Sequence, residues 1–332
     1  MELTTVWFVA IATLWTGYFV LEGFDFGVGM LYRVLGRNEP ERRAAISTIG
    51  PVWDGNEVWL IMAGAATFAA FPEWYATLFS GFYLPLFAIL VGLILRGVAL
   101  EYRGKRDEPV WRSRMDAMIV VGSLLPALLW GVAFGNIVRG VPLDADHEYV
   151  GSFGTLLNPF ALLGGLTFVA VFVTHGAIFL ALRTTDDLRV RANRLATRTG
   201  ALGAVLAIAF LAWAQALRGD AVSVGIAIAA VVAFAGGLVA NVLRREGWAF
   251  AGTTFAIGLS VVSLFVALFP DVMPSTLDPA STLTAVEAAS SPYTLKALTA
   301  ITGTVLPLVV VYQSWSYWVF RNRVVAQPVT LP

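Results

Sequence analysis

The chain has 332 residues, of which 13% are charged, and its mean hydropathy is +0.75. Because about 25% of the residues of a soluble protein are charged, these values exclude an ordinary soluble domain and indicate a polytopic membrane protein. The sequence has no cysteine, which excludes disulfides, cysteine-ligated iron–sulfur clusters and covalent c-type haem, and its formal net charge of zero argues neither for nor against a polyanionic partner.

Apolar runs of about 20 residues, the length needed to cross a bilayer, follow one another along the chain. They predict an all-α membrane protein with about nine transmembrane helices, near 6–32, 46–70, 76–100, 116–138, 158–182, 198–217, 222–243, 248–269 and 294–320. The first run is expected to be a retained helix, because residues 1–5 lack the basic segment of a signal peptide. The second run is the weakest by hydropathy, since Asp54, Asn56 and Glu57 lie within it, and two amphipathic segments are the alternative there.

Basic residues are concentrated in alternate loops. Of the 22 basic residues, 19 lie at or after the ends of predicted helices 1, 3, 5 and 7 or in the C-terminal tail. The exceptions are Arg139, Arg218 and Lys296. Since Lys and Arg stay on the cytoplasmic side, the N-terminus is expected outside and the C-terminus in the cytoplasm, which requires an odd number of spans. We interpret the chain as a single integral-membrane domain over 1–332, compatible with two diverged four-helix bundles, about 1–140 and 155–270, plus a final helix, about 294–320.

Two pairs of acidic residues interrupt the first two predicted helices. Glu22 and Asp25 lie one helical turn apart in the first helix, and Asp54 and Glu57 do so in the second. Counting along each helix from the nearest arginine places Asp25 roughly 12 Å and Asp54 roughly 16 Å below the cytoplasmic surface. We therefore expect these four acids to converge in the cytoplasmic half of the membrane, with Arg96 as their counter-charge.

Carboxylates inside a bilayer are costly, at roughly 2.5–3.5 kcal/mol each even on lenient insertion scales, so the acids are expected to have a function. One hypothesis is a proton path, in which buried acids pass protons along chains of water. The alternative is an ion pair of Arg96 with Asp54 or Asp25 that only fixes helix packing. The same acids would also suit an ion-coupled secondary transporter.

Trp53 and Trp59 flank the second acid pair and are expected either to pack between helices or to line a gas or cofactor channel. The sequence has two histidines. His147 lies in an acidic loop that is expected to be outside, and His175 lies in a predicted membrane helix. With no second strong ligand placed opposite it, His175 is expected to be a hydrogen-bonded packing residue, and metal or haem ligation is the less favoured alternative. No phosphate-binding glycine loop or nucleophilic triad is present, so the sequence offers no hydrolase or ATPase interpretation.

Small residues four apart predict close helix contacts at Gly23 and Gly27 and at Gly131 and Gly135. These segments belong to a set of motifs that resembles subunit II of the cytochrome bd quinol oxidases. The set runs through the whole chain and comprises Gly23–Leu31, Gly36–Arg43, Trp53–Ile61, Phe79–Tyr83, Gly131–Asn136, Leu157–Phe160, Phe269–Pro274 and Ser314–Trp318.

The resemblance implies a nine-helix subunit of the bacterial inner membrane, packed against a haem-bearing subunit I that holds the b and d haems. It implies that the complex oxidises quinol on the outer side and reduces dioxygen to water with cytoplasmic protons, which generates a proton motive force without a pump. This chain would ligate no haem. The resemblance leaves open whether a structural quinone or lipid and small accessory transmembrane subunits bind, and no nucleic-acid partner is expected.

The resemblance also implies roles for single residues. In the family's pattern Asp54 matches a carboxylate of a proton pathway, and Trp59 matches a tryptophan at the mouth of a hydrophobic oxygen channel. Asp25 and Arg96 match polar residues of the membrane interior. His175 stands where some members have a non-ligating polar residue, which leaves its role open.

Overall fold

The computed structural model describes residues 2–326, and over this range the chain folds into eleven α-helices and one small antiparallel sheet. The all-α prediction is therefore confirmed. The helices are α1 (Leu3–Leu35), α2 (Glu39–Ile49), α3 (Trp53–Ala70), α4 (Pro72–Gly81), α5 (Tyr83–Tyr102), α6 (Pro109–Arg139), α7 (Pro159–Arg183), α8 (Asp186–Arg218), α9 (Ala221–Val242), α10 (Glu246–Leu268) and α11 (Pro292–Val319). The sheet pairs β1 (Asp271–Met273) with β2 (Leu283–Thr284) in the connection between α10 and α11.

Eight of the described helices, α1 and α5 to α11, are long and apolar enough to cross a membrane. The prediction of one continuous second span over 46–70 is wrong, because the chain leaves the helix after Ile49 and re-enters it at Trp53. Pro51 lies in this break, where its missing N–H removes a helical hydrogen bond. The alternative of two amphipathic segments is correct in the division but not in the character of the second segment: α2 is short and polar, whereas α3 has 18 residues and is largely apolar. The predicted third span, 76–100, is likewise divided, into α4 and α5.

Helix α2 is held against two other elements by its acidic first turn. Asn38 caps it by accepting the N–H of Glu41, whose carboxylate lies 2.6 Å from Nη2 of Arg191. The carboxylate of Glu39 binds the guanidinium of Arg103, with 2.8 Å between Nη1 and Oε1. Burial raises the pKa of Glu39, but hydrogen bonds from Arg103 and Arg43 outweigh it and lower that pKa to about 2. The carboxylate is therefore ionised at neutral pH, and it ties α2 to the end of α5.

Helix α1 is the central element, and it contacts α3, α6, α7 and α10. It crosses α7 at Gly27, where an added Cβ would collide with the carbonyl oxygen of Phe172 and approach Cα of Gly176 to 2.8 Å. The close helix contact predicted there is confirmed. A second close contact joins α6 and α7 at Gly135, whose Cβ would lie 2.8 Å from Cα of Ala161.

Helix α11 lies on the outside of this bundle, and Leu295 is the one buried residue along its length. Its N-terminal end is attached to α1, because the indole N–H of Trp7 donates to the carbonyl of Leu295 at 3.2 Å and to Thr299 Oγ1 at 3.0 Å. Ser290, just before α11, donates to the carbonyl of Ala69 at the end of α3. Nearer its C-terminal end, Gln313 of α11 reaches Asn56 of α3 beside the acidic residues described next.

Candidate functional site

The acids of α1 and α3 meet one buried arginine from α5. Glu22, Asp25 and Arg96 have no exposed surface, while the side chain of Glu57 keeps 23% of its surface exposed. Nη2 of Arg96 lies 2.7 Å from Oε2 of Glu22 and 2.7 Å from Oε1 of Glu57, and the second contact also has hydrogen-bond geometry. The guanidinium carbon lies 4.6 Å from the ring centre of Phe26, so an aromatic face covers the charge. We call Glu22, Asp25, Glu57 and Arg96 the acid cluster.

Close helix packing brings Arg96 to the acids. Helices α5 and α6 cross at glycines: an added Cβ at Gly92 would lie 3.0 Å from Pro126, and one at Gly122 would lie 2.9 Å from the backbone N of Arg96. Because the backbones of α5 and α6 nearly touch here, the long Arg96 side chain extends away from α6, toward Glu22 of α1 and Glu57 of α3. Glu22 and Asp25 face it because residues three apart lie on one side of a helix.

A chain of hydrogen bonds connects Asp25 to helix α11. Asn56 Nδ2 donates to Asp25 Oδ2 at 2.6 Å, and Asn56 Oδ1 accepts from Gln313 Nε2 at 3.0 Å and from the Tyr317 hydroxyl at 2.7 Å. Gln313 Oε1 in turn accepts the indole N–H of Trp59 at 2.5 Å. Asn56, Gln313 and Tyr317 were not predicted as site residues. A signal for Gln313 was present, since it is an amide within the apolar run of α11.

Several polar atoms of the acid cluster have no hydrogen-bond partner among the described residues, although all are buried. They are Oε1 of Glu22, Oδ1 of Asp25, and Nε and Nη1 of Arg96. Buried polar atoms of this kind are normally satisfied by protein or by ordered water. The two carboxyl oxygens can each accept a hydrogen bond or hold a proton, and the two guanidinium nitrogens can donate to water.

Asp54 does not join the other three acids, so the expected convergence of all four is wrong for this residue. Its side chain is exposed and accepts the N–H of Gly55 at 2.8 Å. The depth expected for Asp54 assumed one helix continuing from Arg43, whereas α3 begins anew at Trp53 and leaves Asp54 in its first turn. Free N–H groups in a first helical turn attract a carboxylate.

The ion pairs of Arg96 also differ from those expected as the packing alternative. Its salt-bridge partners are Glu22 and Glu57, and neither Asp54 nor Asp25 forms a salt bridge with it in the described part of the chain. Asp25 instead has the neutral amide of Asn56 as its hydrogen-bond partner. The arginine therefore binds two carboxylates directly and leaves the third without a direct counter-charge.

Trp53 and Trp59 pack on different neighbours. The ring of Trp53 lies against α5, 3.3 Å from the position a Cβ would take at Gly97, and that of Trp59 covers Gly17 of α1 so closely that a Cβ there would collide with it. A largely apolar groove of about 550 Å³ runs along α3 from Leu60 onward, and α4 and α5 supply most of its other walls. Neither Trp53 nor Trp59 is among its lining residues. Its lining includes Trp15, Leu60, Phe68, Tyr83, Leu86 and Trp130.

His175 is fully buried between α1, α7 and α10. Its Nδ1 lies 2.7 Å from Thr253 Oγ1, and its ring stacks on Phe250 with 4.7 Å between ring centres and 6° between planes. The neighbouring residue, Gly176, forms the closest contact of α7 with α1. The hydrogen bond to Thr253 and the stacked ring are the contacts of a packing residue, and Nε2 is buried without a hydrogen-bond partner among the described residues. Within residues 2–326, no group of three or more His, Cys, Asp or Glu residues is arranged to hold a metal ion.

Comparisons with known proteins agree over almost the whole chain. The family model described as "Cytochrome bd terminal oxidase subunit II" matches residues 3–320. The cytochrome bd ubiquinol oxidase subunit 2 of Bacillus subtilis is 42% identical over 97% of this chain and 97% of its own. The cytochrome bd-I ubiquinol oxidase subunit 2 of Escherichia coli is 34% identical over 98% of this chain and 96% of its own. A chain of the bd oxidase structure from Geobacillus thermodenitrificans has the same fold, with a TM-score of 0.78 over 97% of this chain and 100% of that one at 17% identity.

Proposed function

The chain belongs to the family of cytochrome bd terminal oxidase subunit II, and from this premise we propose that its acid cluster carries protons to oxygen chemistry performed in a partner subunit. As a family member it is a multi-pass protein of the bacterial inner membrane and a subunit of a quinol oxidase that reduces dioxygen. The oxidase family contains haem, so a subunit I that holds the b and d haems is the expected partner. This chain would support the assembly of that subunit and ligate no haem itself.

The observation that carries the proton proposal is the charge balance of the acid cluster. Three carboxyl groups surround a single guanidinium, and Glu22, Asp25 and Arg96 are fully buried. Two uncompensated negative charges at such a site would be costly, so at least one carboxyl group is expected to hold a proton. A scaffold that only fixed the helices would need the two carboxylates that Arg96 binds, Glu22 and Glu57, and would have no use for the buried Asp25.

We propose that Asp54 receives the proton first. It is exposed at the start of α3, one helical turn before Glu57, and Glu57 is the acid of the cluster that keeps some exposed surface. A proton passing from Asp54 to Glu57 and then to Glu22 or Asp25 would move from the surface of the chain to its interior. If the termini are oriented as the basic loops predict, this surface faces the cytoplasm. Protons taken up there, together with protons released by quinol oxidation outside, would generate a proton motive force without a pump.

The oxygen route is a second proposal for this chain. The groove along α3 is largely apolar and has room for small gas molecules, with a volume of about 550 Å³. Trp59 directly precedes Leu60, the first residue of α3 that lines the groove, so its indole would lie near one end of such a route. Trp53 packs against Gly97 of α5 and is not among the lining residues. Dioxygen is apolar and would partition into this groove from the membrane, whereas protons would follow the acids.

The ion-coupled transporter alternative has no support from the relatives, which are oxidase subunits. It would require the chain to purify alone and to bind a solute. The oxidase proposal instead predicts that the intact complex contains a haem-bearing partner chain. Identification of the chains and haems that purify with this protein would separate the two, and a solute-binding chain purified without haem would contradict the proposal.

The proton proposal is tested with Asp54→Asn in the purified complex, using oxygen consumption at full haem content as the measurement. Asparagine has nearly the same size but does not ionise, so we expect slower oxygen reduction with unchanged assembly. Glu73→Gln is the matched control, because Glu73 is also an exposed acid in the first turn of a helix, α4, and lies outside the cluster. Unchanged turnover in Asp54→Asn would favour a packing role for the acids.

A further inference from the structure

A series of hydrogen bonds runs from Trp59 through Gln313 and Asn56 to Asp25, and in each bond only one partner can be the donor. This fixed order of donors and acceptors gives a role to a residue of the last helix. We propose that Trp59 and Gln313 are positioning residues that determine which oxygen of Asp25 is available to bind a proton. The proposal rests on the proton function of the acid cluster. The proton function would then also depend on Trp59 and Gln313, and Gln313 belongs to α11, a helix that has no acidic residue.

The direction begins at Trp59, because an indole N–H can only donate. The Gln313 amide must therefore turn its oxygen toward Trp59, at 2.5 Å, which leaves its NH₂ group facing Asn56 Oδ1 at 3.0 Å. The Tyr317 hydroxyl also donates to that oxygen, at 2.7 Å. With its oxygen held by two donors, Asn56 can only present its NH₂ group to Asp25, at 2.6 Å from Oδ2. A flip of either amide would place donor groups against each other.

The consequence at Asp25 is that its two oxygens are unequal. Oδ2 always accepts from Asn56, whereas Oδ1 is buried and has no partner among the described residues. A proton on Oδ2 would weaken the hydrogen bond that this oxygen accepts from Asn56, so a proton on Asp25 would be held at Oδ1. This series of hydrogen bonds does not itself conduct protons, because the amides and the indole do not ionise near neutral pH. Trp59, Gln313 and Asn56 therefore orient Asp25 without forming part of the proton path.

The surroundings of Asp25 explain why its orientation needs this support. The titratable or charged groups that act on it are Glu22 from its own helix, Glu57 from α3, Arg96 from α5 and Tyr317 from α11. On α7, His175 faces Phe24 and bonds Thr253. On α6, Asp116 binds Tyr32 and Arg103 instead of Asp25. No salt bridge reaches Asp25 from these groups in the described part of the chain, so its neutral amide partner sets its position.

The test uses the intact complex with Trp59→Phe, Gln313→Leu or Tyr317→Phe and measures oxygen consumption as a function of pH at known haem content. Trp59→Phe keeps an aromatic ring but removes the indole N–H, and Gln313→Leu removes both amide contacts. Trp248→Phe is the matched control, since Trp248 is 73% exposed on α10 and lies outside the chain of bonds. Asp25→Asn is measured in parallel.

The expected result is a shift of the alkaline limb of the profile to higher pH. Without the donor from Gln313, Asn56 is held only by the Tyr317 hydroxyl, which can accept as well as donate. Asn56 can then turn its oxygen toward Asp25, and the carboxylate loses the N–H that stabilises its charge. The shift should be on the order of one pH unit for Gln313→Leu and smaller for Tyr317→Phe, which removes one of two donors to Asn56. Trp248→Phe should follow the wild-type profile. Wild-type profiles for Trp59→Phe and Gln313→Leu, with slow turnover in Asp25→Asn, would overturn the positioning role and leave the proton function standing. Unchanged turnover in Asp25→Asn would overturn both.

Discussion

Nη2 of Arg96 lies 2.7 Å from Oε2 of Glu22, and neither side chain is exposed. This buried ion pair joins α1 to α5, and the same nitrogen binds Glu57 of α3 at 2.7 Å. One guanidinium therefore holds three helices at the level where the proposed proton path lies. Its double role explains why the packing and the proton hypotheses need not exclude each other.

Removal of this guanidinium should destabilise the chain. Arg96→Met leaves the buried carboxylate of Glu22 unpaired, and loss of one partner of a buried ion pair typically costs about 3–5 kcal/mol. We expect a lower thermal midpoint of the detergent-purified complex and a lower yield of assembled complex. Adding Glu22→Gln to Arg96→Met should recover part of the loss, because it removes the unpaired charge. Wild-type stability of the single variant would show that the ion pair contributes little.

Substitution of Gly27 should separate α1 from α7. In Gly27→Ala the new Cβ would collide with the carbonyl oxygen of Phe172, which is backbone and has little freedom to move. Overpacking of this kind costs typically about 1–3 kcal/mol, so we expect a lower thermal midpoint. Gly236→Ala on α9 is the matched control, because a Cβ there has no atom within 4 Å. Equal midpoints for the two variants would contradict the close helix crossing.

Replacement of His175 should leave the haem spectrum intact. His175→Ala removes a ring whose Nδ1 lies 2.7 Å from Thr253 Oγ1 and which stacks on Phe250. The change should reduce stability through lost packing. The reduced-minus-oxidised absorbance per assembled complex is expected to equal that of the wild type. Loss of one haem signal would mean that this histidine is a ligand.

The Glu39 ion pairs predict a specific dependence of stability on pH. The pKa of Glu39 falls from an ordinary value of 4.5 to about 2 in the fold, although burial opposes the effect of Arg103 and Arg43. The stabilisation is therefore complete above about pH 4.5 and is lost as the pH falls toward 2. Relative to the wild type, Glu39→Gln should have a lower thermal midpoint at neutral pH, and this difference should shrink on acidification below pH 4.5. A difference that stayed constant down to the lowest pH at which the complex is intact would contradict the assignment. Glu101→Gln, at an exposed acid near the end of α5, provides the control.

Much of this arrangement could be predicted from the sequence because helical periodicity is local. Glu22 and Asp25 share a face by spacing alone, and Arg96 is a single charge at the inner end of an apolar run. The break at Pro51 was harder to predict, since a proline in a membrane helix either kinks it or ends it. That break changed the position of Asp54, whose depth had been counted along a continuous helix.

The contacts of the last helix could not be predicted from local pattern. Asn56 and Gln313 are 257 positions apart, and their hydrogen bond depends on how α11 lies against α1 and α3. Hydropathy indicates that α11 exists but does not say which of its faces meets the bundle. Asn56 was noticed in the sequence only as a polar interruption of an apolar run, whereas the structure places it between Asp25 and two residues of α11.

The most direct test of the central claim is the rate of proton uptake when the fully reduced, purified complex meets dioxygen, measured with a pH indicator while haem oxidation is followed in the same sample. Asp25→Asn is the variant, with haem content equal to that of the wild type. If protons reach the oxygen chemistry through the acid cluster, proton uptake and the proton-dependent phase of haem oxidation should slow together, by about tenfold or more. Wild-type rates of both in Asp25→Asn would contradict the claim.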